Sequence, residues 1–253
     1  MDNKLNGFSV DHSQEMPIFR QIAEELRRRI LDGQLQAGDR LPPETAIAEN
    51  LGIHRSSVRE AIRALEQSGF VRRDPGKRKL HVALPETKEF SRRLVDPLIL
   101  SKVTFEEVWE TIRALDPMAA AAAAKRRRPD HIKALEENAA KTRAAWGDVE
   151  LLTLLDIEFH EIVAAAADNR VLQSIRIPIS DLFYPSFFTV MSRVDASDRL
   201  LVAHEKIIDA IRRQDEETAH SWMVKHINDF RKGYELARLD MSGPARPMRN
   251  TAS

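Results

Sequence analysis

Gly33-Gln-Leu35-Gln-Ala-Gly38-Asp-Arg40-Leu41-Pro42-Pro43-Glu44, followed after six residues by Leu51-Gly52-Ile53-His54-Arg55-Ser56-Ser57-Val58-Arg59-Glu60-Ala61-Ile62, is the stretch that decides the fold. Gly33 closes a helix that begins at Pro17, in which Ile18, Ile22, Leu26 and Ile30 recur every fourth residue as one apolar stripe. Gly38-Asp39-Arg40 reads as a turn. Pro42-Pro43 can open a helix but not continue one, so Glu44 to Leu51 forms a short second helix. Gly52 breaks it, and Arg55 to Gln67 forms a third, with Val58, Ile62 and Leu65 turned inward and Gly69 as the stop. Phe70 to Arg73 and Lys79 to Val82 are strand candidates on either side of the turn signature Asp74-Pro75-Gly76-Lys77-Arg78. Three helices and a hairpin make a winged helix-turn-helix over 17–83. A flexible arm, 1–16, precedes it, and a linker, 84–90, with Pro85 follows.

The remainder reads as helix throughout, giving a mostly α protein of two domains. Its 253 residues fit that count at roughly 100–200 residues per domain. Thr104-Phe-Glu-Glu107 is a capping box that starts a long helix ending near Lys125. Further helices are expected from Pro129 to about Trp146 and from Asp148 to about Ala167. Another runs from Asn169 to about Met191, interrupted near Pro178 and Pro185. The last two cover Ser197 to Arg213 and Asp215 to about Arg238. The all-helical domain spans 91–241, and the polar, Pro-containing stretch 242–253 is expected to be a disordered tail.

Composition excludes several classes. The chain has no Cys, which rules out a disulfide scaffold and a Cys-ligated zinc finger and suits a reducing compartment. No segment approaches the ~20 apolar residues that span a bilayer, and residues 1–16 lack an apolar signal core; a cytoplasmic protein without membrane association is expected. Net charge is zero, but between Gly52 and Val82 eight cations stand against three anions. Such a basic patch is what counterion release at a phosphate backbone requires.

On the third helix Arg55 and Arg59 are four apart and share a face. Arginine can pair with guanine O6 and N7 or with a phosphate, and Ser56 and Ser57 offer short hydroxyls beside them. At the hairpin tip Gly76 lets the backbone approach a groove, with Lys77 next to it. The plainer alternative is a helical interaction domain whose arginines face water. Reading double-stranded DNA with one helix per half-site calls for a homodimer on a palindromic operator.

In the helical half, Asp156 and His160 are four apart on one helix, and His204 and His226 fall on the last two. A carboxylate and three imidazoles from three helices can surround one divalent transition metal, with zinc the first expectation and nickel, manganese or iron admitted. Spacing alone does not bring His204 and His226 to the first pair.

The N-terminal stretch quoted above, continued by Leu65-Glu66 and Gly69, strongly resembles the winged-helix domain of the GntR family of bacterial regulators over about Gln21 to Ala83. The resemblance implies that Arg55 and Arg59 are the principal DNA-reading residues and Gly76 the wing tip. There are departures. Thr45 stands where the family usually has an Arg that contacts DNA, His54 replaces the usual Ser or Thr cap, and Pro43 stands where a Ser cap is common. Arg113-x-x-Asp116, Asp156-x-x-Phe159-His160, Asn169, His204-Glu205-x-Ile207 and His226 resemble the FCD effector domain of the FadR-type subfamily over about Phe105 to Ala237. That resemblance implies metal ligands Asp156, His160, His204 and His226, and an effector-binding Arg113; Asp116 stands at a position usually Glu.

The expectation is a metabolite-responsive regulator, a repressor of a catabolic operon, released from DNA when a small carboxylate, hydroxy acid or sugar acid enters a metal-containing pocket. One alternative is a metal-responsive regulator in which the metal is the signal. A metalloenzyme is disfavoured because Glu158 and Glu161, the acidic neighbours of the ligand pair, point away from its helix face.

Overall fold

The structure is a computed structural model that describes residues 16–74, 79–83, 87–194 and 197–246, with backbone alone at 87–90 and 92. The chain divides into two compact units, 1–90 and 91–253.

In the first unit α1 (Ile18–Leu31) and α2 (Glu44–Leu51) pack on α3 (Arg55–Gln67). Ile22 and Leu26 of α1, Ile47 of α2 and Val58, Ile62 and Leu65 of α3 form one core, closed by Val71, Leu80 and Val82. At Gly52 the backbone takes a left-handed conformation, φ 63°, which ends α2 and lets the chain re-aim for α3. Neither α2 nor α3 has a side-chain cap, since Pro43 and His54 occupy those positions. The hairpin strands are β2 (Val71–Arg73) and β3 (Leu80–Val82). A strand absent from the sequence reading, β1 (Arg40–Leu41), pairs antiparallel with β3 in the order β1-β3-β2, Arg40 opposite His81 and Leu41 opposite Leu80. Two residues are too few to show an alternation; what makes them a strand is the partner 39 to 41 positions away in sequence. Pro75 to Arg78, including Gly76 and Lys77, lie outside the described residues.

The second unit is helical. α4 (Thr87–Leu100) starts inside the stretch read as a linker. The core helix is α5 (Phe105–Arg126), which packs on α7 (Val149–Ala166), α8 (Arg170–Arg193), α9 (Ser197–Arg213) and α10 (Glu216–Leu236). Ala119, Ala120, Ala123 and Ala124 on α5 are almost completely buried, and their small side chains let four helices close around one. α6 (Pro129–Ala144) packs against α7 and α9. Four N-termini are capped by side chains, the one at Thr104 as the sequence implies. Thr104 and Glu107 form the reciprocal box at α5, and Asp148, Asn169 and Asp215 accept backbone N–H bonds at α7, α8 and α10.

Two expectations change here. α8 is continuous across Pro178 and Pro185. Each proline removes one intrahelical bond, but Leu182, Phe183, Tyr184 and Phe187 anchor that stretch in the core, and their burial outweighs the loss. The segment 242–246 is packed rather than loose. The carbonyls of Met241 and Gly243 accept from the first free N–H groups of α5, Glu106 and Phe105, Ala245 N–H donates to the Val103 carbonyl, and Ala245 is buried. The unsatisfied donors of a helix start explain why a polar terminus docks there. Residues 247–253 and 1–15 lie outside the described residues.

Candidate metal centre and nucleic-acid interface

Arg55, Ser56 and Arg59 lie exposed on the outer face of α3, Ser57 is half-buried beside them, and Thr45 is exposed on α2. The structure adds a residue that the sequence reading passed over. Glu44, at the start of α2, has little exposure and faces three arginines. Its carboxylate accepts from Arg73 Nη2 at 2.8 Å and stands 3.7 Å from Arg59 Nε and 3.9 Å from Arg55 Nε. Arg73 is shared with Glu66, 2.8 Å away. Burial opposes ionisation of Glu44, and the three guanidiniums overcome it, so its pKa falls below the usual range. One carboxylate thus gathers the two recognition-helix arginines and the β2 arginine around a polar notch that Thr45 and Arg63 also line.

In the helical unit, Asp156, His160, His204 and His226 converge. Their donor atoms all lie within 4.8 Å of one another, and all four residues are buried. His160 Nε2 and His226 Nε2 are 3.1 Å apart, His204 Nε2 and Asp156 Oδ1 3.2 Å, and Asp156 stands 3.8 Å from both His160 and His226. A tetrahedral centre with bonds of about 2.0–2.2 Å holds its donors roughly 3.3–3.6 Å apart, a spacing that the four separations of 3.1 to 3.8 Å bracket. His204 Nε2 and Asp156 Oδ1 make no well-aimed hydrogen bond despite their closeness and complete burial, and the same holds for His160 Nδ1 and His204 Nδ1. Buried polar atoms rarely go without partners, and an ion held by the set would satisfy His204 Nε2 and Asp156 Oδ1.

The electrostatics suit a cation. Burial lowers the pKa of His204, against the opposing pull of Asp156. Burial and the neighbouring His204 and His160 push His226 down to about 3. Both rings are therefore neutral, the form that binds metal. Burial raises the Asp156 carboxyl, but the imidazoles around it outweigh that and hold it below the usual range. The His204 ring is fixed by stacking on Phe159, centroids 3.6 Å apart.

Behind His160 lies a support that the sequence reading did not assemble. Asp116 Oδ2 is 2.8 Å from His160 Nδ1, and Asp116 Oδ1 accepts from Arg176 Nε at 2.9 Å. Arg176 Nη2 also reaches Tyr184 Oη at 3.5 Å. Burial disfavours the Asp116 carboxylate, but Arg176 and His160 hold its pKa far below the usual range. A carboxylate on the far nitrogen of a ligating histidine fixes the tautomer and turns the other nitrogen to the metal. Arg176 occupies an inward position of α8 with Leu172 four residues before it and Ile179 three after, and that phase was the available signal. Arg113, expected at the pocket, is not brought into the cluster. It is exposed, donates from Nε to Asn228 Oδ1 at 3.2 Å, and lies over the Trp109 ring. The buried arginine next to the donor set is Arg176.

Comparison with known proteins bears on the family of both units. Residues 19–79 match the family described as bacterial regulatory proteins of the gntR family, and residues 107–229 match the FCD domain. Over 213 residues the chain is 26% identical to the HTH-type transcriptional regulator LutR of Bacillus subtilis strain 168, covering 81% of this chain and 97% of that one. It is 28% identical over 224 residues to the HTH-type transcriptional repressor NanR of Enterobacter sp. strain 638, covering 82% and 81%. It is 24% identical over 233 residues to the Glc operon transcriptional activator of Escherichia coli K12, covering 88% and 91%. Among solved structures, Streptococcus agalactiae GntR superposes with a TM-score of 0.64 at 27% identity, over 85% of this chain and 99% of that one. Among the described residues no helix is long and apolar enough to cross a membrane. A GntR winged helix ahead of an FCD helical domain, the architecture of the FadR-type branch, makes this chain a member of the GntR family of transcription regulators: a DNA-binding regulator and not an enzyme.

Proposed function

We propose that this regulator acts in the cytoplasm as a homodimer on a palindromic operator and represses a catabolic operon until a small carboxylate binds its helical domain. The observation that carries the reading is the convergence of Asp156, His160, His204 and His226, all buried, within the helical domain. In this reading the four residues hold a divalent transition metal, zinc foremost. When bound, the ion supplies a Lewis-acidic centre to which a carboxylate oxygen can attach. Asp116 holds the His160 ring in place, and Arg176 keeps Asp116 ionised. The donors come from α7, α9 and α10, so a ligand that binds one arrangement of these helices better than another shifts the population between them.

At the DNA, Arg55 and Arg59 contact base edges, with Ser56, Ser57 and Thr45 at base edges or phosphates and Gly76 and Lys77 as the wing. The sign we assign is repression, the activity named for NanR. The relative named as an activator makes activation the alternative outcome.

The test is binding of the full chain to a labelled fragment from upstream of its own gene, measured with and without zinc and with a panel of carboxylates. Specific binding weakened by one acid supports the reading. Binding that follows zinc alone, with no acid having any effect, would make the metal the signal.

A further inference from the structure

One wall of the donor set is shared with a cleft of about 550 Å³, within the range of small-molecule sites. α8 contributes Phe187, Val190 and Met191 to it, α9 Leu200 and Ala203, and α10 Phe230. His226 also lines it, and of the four donor residues His226 is the most exposed, at 8% against 0–4% for the others. Among the described residues, then, the metal site meets this cleft through His226. The charged lining is Arg199, Lys225 and Lys232 against Asp198 and Asp229. Asp229 is already matched by Arg199 at 2.8 Å across α9 and α10, and Lys225 lies over the Trp222 ring. The balance favours an anion.

We propose that this cleft takes a carboxylate with an apolar body, an aryl or medium-chain aliphatic acid, and not a polyhydroxylated acid. The proposal rests on the metal-site reading above and narrows it: the carboxylate lies toward His226, and the hydrocarbon lies against Phe187, Met191, Leu200 and Phe230. The physical ground is the lining. A sugar acid brings a hydroxyl on nearly every carbon, and each one moved from water onto these four apolar side chains loses a hydrogen bond that they cannot return. An aryl or alkyl group moved to the same place gains by leaving water. Asn228, the uncharged amide of the lining, already accepts from Arg113, which gives that arginine a part at the cleft through Asn228 and not through the metal.

The experiment is calorimetric titration of the zinc-loaded full chain with phenylacetate, hexanoate and gluconate, with the melting temperature as a second readout. Phenylacetate and hexanoate are expected to bind at least about ten-fold more tightly than gluconate and to raise the melting temperature. Val202, half-exposed in the cleft wall, is the residue to change. Val202→Trp fills the cleft and Val202→Glu opposes an anion, so both are expected to lose acid binding while keeping wild-type zinc stoichiometry. Tighter binding of gluconate, or undiminished binding of the acids by both variants, overturns the proposal and leaves the metal reading standing. So does a cleft filled by a second copy, seen as a concentration-dependent rise in mass that Val202→Trp abolishes while no acid binds. A chain that takes up no zinc overturns the metal reading and this inference together.

Discussion

The Asp116 carboxylate stands 2.8 Å from Nδ1 of His160, and both groups are buried on facing helices of the FCD domain. On the other side of the ring His160 Nε2 stands 3.8 Å from Asp156 Oδ2 and 3.1 Å from His226 Nε2, so a charge contact at Nδ1 favours the tautomer that leaves Nε2 free for a metal. Asp116→Asn is therefore expected to weaken zinc binding by about 10–100-fold, the range for losing such a support. It also strands the Arg176 charge, so the metal-free chain should lose about 3–5 kcal/mol of stability. Competition with a chelating indicator measures the first effect and denaturant unfolding the second. Unchanged zinc affinity would make Asp116 a partner of Arg176 alone.

His204 is wholly buried, and its Nε2 makes no well-aimed hydrogen bond. His204→Ala should abolish stoichiometric zinc uptake and remove the rise in melting temperature that zinc gives the wild type. Metal analysis after dialysis checks this, and wild-type stoichiometry would remove His204 from the ligand set.

Stability of the metal-free chain should fall as acid is added from about pH 6.5 downward. Burial lowers the folded-state pKa of His204 and, to about 3, of His226, while in the unfolded chain each titrates near 6.5. Below that value the unfolded state binds more protons, so the stability present at neutral pH is lost as pH falls, by at most about 1.4 kcal/mol per pH unit for each proton. Asp156 and Asp116, both lowered, act in the same direction at still lower pH. Urea unfolding between pH 7.5 and 5 measures the slope. A flat profile in wild type, or an equal slope in a His204→Ala, His226→Ala double variant, would contradict the assignment.

At the DNA face, Arg55→Ala or Arg59→Ala should each cost about 1–3 kcal/mol of specific binding while leaving the fold intact, because both side chains are exposed. Glu44→Gln is more informative. Releasing Arg55, Arg59 and Arg73 from one carboxylate should raise affinity for unrelated DNA and steepen its salt dependence, while the ratio of specific to non-specific binding falls. Anisotropy titrations at several salt concentrations read both. An unchanged ratio would show that Glu44 has no part in positioning the arginines.

Much of this was readable in the sequence because the signals were local. Gly52 and Gly69 and the Thr104–Glu107 box each mark a boundary by their own backbone chemistry. Of the donor set, Asp156 and His160 were readable as a pair because they are one turn apart, whereas His204 and His226, on separate helices, were joined to them only by the resemblance to the FCD domain. What was not readable depends on distant partners. Arg176 looks like a surface charge until Asp116, 60 positions earlier, is seen to neutralise it. Arg113, one turn before Asp116 on α5, lies on the exposed side of that helix. The docking of 242–246 and the pairing of β1 likewise rest on groups 39 or more positions away. The prolines of α8 misled because their local cost is visible, whereas the core that offsets it is not.

The most direct test of the central claim is the zinc content of the purified full chain, equilibrated with buffered zinc and measured alongside His204→Ala and Asp156→Asn. One ion per chain in the wild type, and markedly less than one in both variants, is the predicted result. No bound zinc in the wild type, or equal uptake by all three proteins, would contradict it.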